Sequence, residues 1–548
     1  KQQPWEESMN TMQCSILCII LLCGVALLGA QNVPEWQWAV KAGGDCWNEG
    51  QSIAIDSQGN QYVAGQFENT ISFGSHTLTA NGYEDIFVAK LDQDGNWLWV
   101  IQVGGTISDT ANSIALDSSD NAWVTGYYGN QATFGDHTLI GGGCFVAKLA
   151  PSGNWLWAIK VEGTGNSIGR GIALDGSGNA WVTGQFTRTA TFGDHTLTAS
   201  GNIWSDTFVA KLDPSGNWLW AVKAGGTDFD WVTRIAVDGS GNAWVTGYFD
   251  GTSTFGSHTL TAIRFDDIFV AKLDSSGNWL WAVQAGGMYF DRGSGIAVDE
   301  VGNAYVTGYY ENQASFGNHT LTGVGGFTAK LDPSGNWLWA VQAGATGFDI
   351  TLDGTGKAYV TGAFYLTATF GNYTLTTSGN DDVFVAKLDS SGNWLWAVKA
   401  GGTESDYGYD IALDGAGNAC VIGCFRGIVF FGSHILISSG YYDIFVAKLG
   451  SVTPVEDDLA PQAVVRLHNA YPNPLGRGAS ALIKAEIPER STATLSIFNL
   501  RGQIVARHKL NPGLQQISFS GEGLPAGVYL YSLQCGDYRE TRKLMLLK

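Results

Sequence analysis

W-L-W-A-V-K-A-G-G, residues Trp218–Gly226, recurs nearly letter for letter at Trp36, Trp97, Trp155, Trp279, Trp337 and Trp394. The intervals are 61, 58, 63, 61, 58 and 57 residues. A period in that range marks an array of like structural units. Around each copy the same parts return. In the unit ending at Gly226, a short apolar run (Ile172–Asp175) leads through D-G-S-G-N (175–179) to A-W-V-T-G-Q-F (Ala180–Phe186). A variable stretch containing T-F-G-D-H-T-L (Thr191–Leu197) follows. F-V-A-K-L (Phe208–Leu212) and D-P-S-G-N (213–217) then lead into the Trp-containing run. Short alternating runs split by Gly, Asn and Asp read as strands. Each unit is thus a four-stranded antiparallel meander, strands A to D, with a hairpin insert between B and C.

Thirteen D-x-x-G-N turns join these strands, seven between A and B and six between C and D. Asp accepts backbone N–H bonds across such a turn, and Gly supplies the positive φ. Asp120 replaces the Gly, Ala150 the Asp and Lys357 the Asn in three of them. One Asp per turn is too few for a calcium loop, which needs several converging oxygens. The array opens on a D strand (Trp36–Ala42) and ends on a C strand (Phe445–Leu449). The leading D strand can therefore complete the last sheet. A sheet of about 60 residues cannot bury both faces alone, and a radial stack solves this with short edges only. The expected fold is all-β: a seven-bladed β-propeller at 31–449, its last blade closed by the N-terminal strand.

The composition agrees. The 548 residues include 74 Gly, 21 Trp, 20 Tyr and 26 Phe, with 15% charged. Residues 1–460 carry 19 Lys/Arg against 45 Asp/Glu, while 461–548 carry 11 against 5. So acidic a body repels phosphate, and nucleic acid is excluded as a partner. The eight Cys are scattered and form no disulfide framework. Cys420 and Cys424, four apart on one strand, lie too far apart to bridge. Residues 1–8 read as upstream of a start at Met9. The apolar run from Cys14 to Ala30 has the length of a signal-peptide core, so residues 1–30 are assigned to upstream residues and a signal peptide, with no stable membrane span after cleavage.

Two resemblances follow. Ile296–Asp299, Gly302–Gly308 and their equivalents resemble the bacterial β-propeller repeat family of secreted and surface proteins, which implies a fold and no single activity. Residues 450–466 read as a Pro-rich, acidic linker. Beyond it, Tyr471-Pro472-Asn473-Pro474, Ile497–Val505 with Gly502, Leu524–Tyr529 with Gly527 and Tyr529, and Lys543–Lys548 resemble the C-terminal sorting domain of type IX secretion substrates. That likeness implies delivery by the type IX machinery to the cell surface or medium. Strand-like runs across 467–548 suggest a small immunoglobulin-like β-sandwich.

Catalytic signals are sparse. Six His (His76, His137, His195, His258, His319, His434) share one repeat position, with Tyr373 in the sixth unit. Copies a blade apart cannot share an ion, and a role within each hairpin insert is expected. No catalytic, metal or cofactor motif emerges. The paired Trp of each D strand suit packing between blades. Variation concentrates in the D–A and B–C connections, which share one face, and variable loops on a rigid ring are where binding resides. The candidate ligand residues there are Trp47, Phe229, Asp230, Trp231, Tyr289, Phe290, Asp291, Arg292 and Tyr407. The favoured function is an exported, monomeric, non-enzymatic propeller for cell-surface binding or adhesion to a glycan or protein, or a surface-coat component. The alternatives are a secreted polysaccharide-degrading enzyme using Asp230, Asp291 and Arg292, and a ligand-free spacer.

Overall fold

The computed structural model describes residues 33–201, 203–450, 466–468, 470–476, 480–487, 492–535 and 538–547. The signal-peptide assignment, nearly all of the linker (451–465) and Lys548 lie outside the described residues. By its internal contacts the chain divides into two units, Lys1–Val452 and Thr453–Lys548. Among the described residues every regular element is a strand.

In the first unit the described residues form seven antiparallel sheets built on four strands in the order A-B-C-D, three of them extended to six strands by the hairpin of the next unit. Sheet 1 runs from Asn48–Ile55 (A) to Trp97–Val103 (D), and sheet 2 from Thr110–Leu116 to Trp155–Lys160. Sheet 3 runs from Ser167–Leu174 to Trp218–Gly226, and sheet 4 from Asp230–Val237 to Trp279–Ala285. Sheet 5 runs from Arg292–Val298 to Trp337–Ala343, and sheet 6 from Thr346–Leu352 to Trp394–Gly402. Sheet 7 begins with Tyr407–Leu413, Ala419–Phe425 and Asp443–Gly450. Its fourth strand is Glu35–Gly44, which pairs antiparallel with Asp443–Gly450 in register Ala39↔Ala447. The turns obey their sequence. Asp175 Oδ1 accepts the Ser177 and Asn179 N–H groups, and the Asn179 amide donates to its Oδ2.

The A strands pack side by side from sheet 1 to sheet 7, and that of sheet 7 returns to that of sheet 1. Between neighbouring sheets lies a separate apolar core. The core between sheets 7 and 1 joins Ala42, Cys420, Ile422, Ile444 and Val446 to Ile53, Val63, Phe87 and Leu91. Hydrogen bonds cross the same seam: the Ile53 N–H donates to Asp410 Oδ2 at 2.8 Å, and Trp38 Nε1 donates to the Gln93 carbonyl at 3.1 Å. Trp99 and Trp220 repeat the latter bond, to Pro151 and Ser275 of the following sheet. The turn glycine is needed beneath this ring, since a Cβ on Gly95 (φ +86°) would stand 2.9 Å from Trp38.

The first Trp of each D strand packs edge-on against the hairpin Phe of its own sheet, as Trp218 does on Phe192 at 4.9 Å. The hairpin also reaches back: its Ser253–Phe255 segment pairs with Ala224–Gly226 of the preceding D strand. Such an insert therefore bridges two sheets. Its His is not confined to the insert, since His434 Nε2 hydrogen-bonds to the Trp36 carbonyl at 3.1 Å. A buried ion pair recurs in every sheet, joining the F-V-A-K-L or F-T-A-K-L lysine to the A–B turn Asp. Lys211 meets Asp175 at 2.9 Å and lies 4.6 Å from the Trp181 ring centre.

The second unit has two sheets over one core. Arg466–Leu467, Ser480–Ile487 and Gly513–Ser520 form the first. Ile504–Leu510, Ala493–Asn499, Gly527–Cys535 and Tyr538–Leu546 form the second. Alternate residues of the central strands turn inward, as a strand's period of two requires. Ile483, Leu495, Ile497, Tyr531, Leu533 and Leu544 fill the space between the sheets. The Y-P-N-P motif docks on the final strand. Asn473 donates to the Lys543 carbonyl at 2.8 Å and accepts the Met545 N–H at 3.0 Å.

Candidate functional site

Each A strand carries one residue more than its partner, a β-bulge. The extra residues are Gln51, Asn112, Arg170, Thr233, Ser294, Phe348 and Tyr409. A bulge re-aims a side chain out of the ladder. Here all seven line a single cavity of about 200 Å³, together with Trp231 and Arg234. One residue from each sheet thus meets at the axis around which the A strands are arranged. In four of the strands the next position stitches neighbours together. Ser52 and Ser113 hydroxyls accept the Ile114 and Ile172 N–H groups. Asp349 and Asp410 hold the same register and accept the Ile411 and Ile53 N–H groups. Arg234, from across the axis, lies 3.5 Å from Asp349 and 4.0 Å from Asp410. Burial, with Asp410 alongside, pushes the Asp349 carboxyl well above the usual range.

From this cavity two aromatic arms run toward the D–A and B–C connections. In the first, Trp231 stacks on Tyr248 (6.2 Å) and on Phe229 (5.2 Å), and Phe229 meets the half-exposed Trp204 at 6.1 Å. The Arg292 guanidinium lies 4.7 Å from the Tyr248 ring and 5.5 Å from Phe290, which stacks on Phe265 at 4.8 Å. Arg292 is also held by Asp266 at 2.6 Å. In the second arm, Tyr409 stacks on Tyr407 (6.1 Å), Tyr407 reaches Tyr442 (6.3 Å), and Tyr442 meets Trp47 at 4.8 Å.

Of the residues singled out by sequence, Phe229, Trp231, Phe290 and Arg292 fall in the first arm and Trp47 and Tyr407 in the second. Tyr289 is exposed beside Phe290. Asp230 and Asp291 are corrected: both are buried, so neither carboxyl is presented to solvent beside Arg292. Asp291 instead accepts the Gly287 and Glu311 N–H groups and closes its D–A connection, and Asp230 accepts the Gly226 N–H. Asp109 and Asp406 do the same in sheets 2 and 7. Burial, with a neighbouring carboxylate from a C strand, raises Asp109 to about 6, Asp230 and Asp291 to about 7 and Asp406 to about 8. Gly286 shows how close such a pair comes, since a Cβ there would lie 2.4 Å from Asp267 and 3.1 Å from Asp291. No group of three or more His, Cys, Asp or Glu fit to hold a metal occurs among the described residues.

Sequence reasoning missed the bulge residues, Tyr248, Trp204 and the Tyr441–Tyr442 pair. A signal for the first existed: the two residues before each I-A or I-T pair change from unit to unit, and the bulge is the first of the two.

Residues 469–547 match the secretion system C-terminal sorting domain, and residues 280–309 match the beta-propeller repeat. An uncharacterized WD repeat-containing protein of Acanthamoeba polyphaga mimivirus is 26% identical, over 81% of this chain and 41% of its own length. The chain thus spans about two fifths of that relative. Among solved structures, the Neurospora crassa Pan2 WD40 domain is similar at 10% identity and a TM-score of 0.42, over 74% of this chain and 90% of its own. BamB from Moraxella catarrhalis is similar at 12% identity and a TM-score of 0.36, over 76% and 100%. The chain carries beta-propeller repeat sequence and ends in a type IX secretion sorting domain, and it is a secreted or cell-surface protein.

Proposed function

We propose that the first unit is a seven-bladed β-propeller closed by its N-terminal strand, that the second is an immunoglobulin-like sorting module, and that the exported propeller is a non-enzymatic glycan-binding protein. The observation that carries the functional reading is the pair of aromatic arms meeting at the axial cavity, through Trp231 on one side and Tyr409 on the other. Sugar rings offer apolar faces that stack on aromatic side chains, and their hydroxyls suit the amide and hydroxyl groups of Gln51, Asn112, Thr233 and Ser294. A track across the face fits an extended chain of such rings better than one small molecule.

Half-exposed Trp204 and Trp47 stand at the outer ends of the two arms. Replacing both by Ala is expected to weaken glycan binding by about tenfold, at roughly 0.5–1.5 kcal/mol per aromatic contact. The melting temperature should stay nearly unchanged. A glycan array followed by calorimetry checks this. An array on which the folded chain captures no glycan, or a double variant that binds like the parent, contradicts the reading.

The enzymatic alternative as read from Asp230, Asp291 and Arg292 meets two buried carboxyls, and a different set, Asp349 and Asp410 beside Arg234, would have to serve instead. Their register argues for stitching instead, because Ser52 and Ser113 accept the corresponding N–H bonds. Polysaccharide cleavage that Asp410→Asn abolishes without loss of folding would favour the enzyme.

A further inference from the structure

Arg170 is a cation without a counterion among the described residues. It occupies the bulge of sheet 3 and lines the axial cavity. Its Nε donates to Gln185 Oε1 at 3.1 Å, and its guanidinium lies 4.3 Å from the Trp231 ring centre. A guanidinium has five N–H donors, and here Nε alone has a protein acceptor among the described residues. The neighbouring cations, by contrast, are matched. Arg234 is held by Asp349 and Asp410, and Arg292 by Asp266. Arg426 faces Glu404 at 3.9 Å.

The other bulge side chains are neutral. Asn112 donates to the Gly169 carbonyl, and Thr233 to the Gly293 carbonyl. Glu49 lies two residues before the sheet 1 bulge, and Asp349 and Asp410 are taken by Arg234. Glu49 is already occupied, accepting from Trp47 Nε1, Gln51 Nε2 and Gln66 Nε2. A partly buried charge that keeps free donors is costly unless something pairs with it. Consistent with this, burial, with Arg234 close by, pulls the Arg170 guanidinium down to about 10.

We infer that the axial cavity receives the carboxylate of an acidic sugar, a uronate within the glycan held by the aromatic arms, and that Arg170 is its counterion. The inference rests on the glycan-binding reading above. A carboxylate matches the planar fork of a guanidinium in a bidentate pair. The Trp231 ring beneath keeps that fork in one plane. The sugar ring bearing the carboxylate then lies between Trp231 and Tyr409, and neighbouring rings continue along the arms. A uronate is favoured over an acidic peptide because the arms line up aromatic rings along a track, while the cavity offers one unpaired cation.

The test uses the full chain in ~0.15 M salt, with an otherwise neutral oligosaccharide carrying one galacturonate ring, and the same oligosaccharide methyl-esterified at that ring, as probes. These share every ring and differ in charge. Calorimetry should give at least about tenfold tighter binding of the acid, the scale of a charged hydrogen-bonded pair. Arg170→Gln should erase the preference of acid over ester, and Arg170→Lys should retain part of it. Melting curves of both variants show whether they fold, and the lysine variant serves if the glutamine one does not. Equal affinity for acid and ester, or a preference that survives Arg170→Gln, overturns the inference. Neutral glycans bound on the array with no uronate selectivity overturn it and leave the glycan reading standing. A poly-glutamate peptide that binds more tightly than the uronate and depends on Arg170 overturns it in favour of an acidic peptide. No binding of any saccharide removes both.

Discussion

Deleting the chain through Gly44 is expected to abolish cooperative folding of the repeat unit. Glu35–Gly44 is the fourth strand of sheet 7, although it precedes sheet 1 in sequence. Without it, Asp443–Gly450 becomes a bare edge, and the hairpin Thr70–Thr79 of sheet 1 loses the strand it pairs with. Trp36 is 9% exposed and packs edge-on against Phe431 at 5.0 Å, while Ala42 is fully buried in the core between sheets 7 and 1. Removing one large buried aromatic costs about 3–5 kcal/mol. Losing the whole strand with its ladder reaches the order of 10 kcal/mol, which rivals the ~5–15 kcal/mol that holds a typical domain folded. Tryptophan fluorescence during urea unfolding checks this. The intact chain should show a steep transition for the first unit, and the shortened chain a shallow or absent one. A shortened chain as steep and as stable as the parent would contradict the account.

Acidification from pH 8 to pH 5 is expected to stabilise the protein, the reverse of ordinary acid denaturation. Asp109, Asp230, Asp267, Asp291 and Asp406 are raised by burial from 3.8 to about 6, 7, 7, 7 and 8. Between 3.8 and those values the folded chain binds more protons than the unfolded one, so stability falls as pH rises. The contribution is whole below 3.8 and gone above about pH 8. Each group supplies up to about 1.4 kcal/mol per pH unit inside its window. Several kcal/mol in total between pH 8 and pH 5 is the expected outcome.

The turn carboxylates oppose this only at lower pH. Burial alone would raise Asp117 and Asp353. Their side-chain and backbone donors, with Lys148 and Lys387, more than offset it and hold both at about 2. The stability they contribute is present above 3.8 and lost as pH falls toward 2. The maximum therefore lies at about pH 4, where the two sets of groups meet. Urea midpoints measured from pH 3 to pH 9 test the profile, and Asp291→Asn should flatten part of its alkaline limb. A profile that is level or rises from pH 5 to pH 8 would refute it.

The repeat, its turns and the offset that pairs the first strand with the last were legible because they rest on local rules. Alternation marks strands, D-x-x-G-N marks turns, and the phase of the ends marks the pairing. The paired Trp were legible as packing groups for the same reason. What lies across the axis was not. A bulge leaves no composition signature, so Arg170, Phe348 and Tyr409 looked like ordinary strand residues until seven strands stood side by side. Asp230 and Asp291 misled in the opposite way. They sit in connections of differing length, and their counterparts are Asn48 and Ser167 in sheets 1 and 3 and Ala345 in sheet 6, so a shared buried role was hidden as variation. Tyr248 and Trp204 belong to a strand and a B–C connection that meet the D–A connection only in space. The lysine of F-V-A-K-L and the turn Asp were each visible, yet their pairing depends on strand C lying beside strand B.

The most direct measurement is a disulfide between Ala39→Cys and Ala447→Cys. These positions are partners in the ladder between the N-terminal strand and Asp443–Gly450. Antiparallel partners stand about 4.5–5.5 Å apart at Cα, within the reach of a disulfide. Ala39→Cys with Ala271→Cys, the equivalent C-strand position of sheet 4, is the control. Mass spectrometry of the oxidised, digested protein should find the 39–447 link in most molecules and no 39–271 link. Thiols at 39 and 447 that both remain free to alkylation in the folded chain would contradict the pairing, and with it the ring that brings seven strands around one cavity.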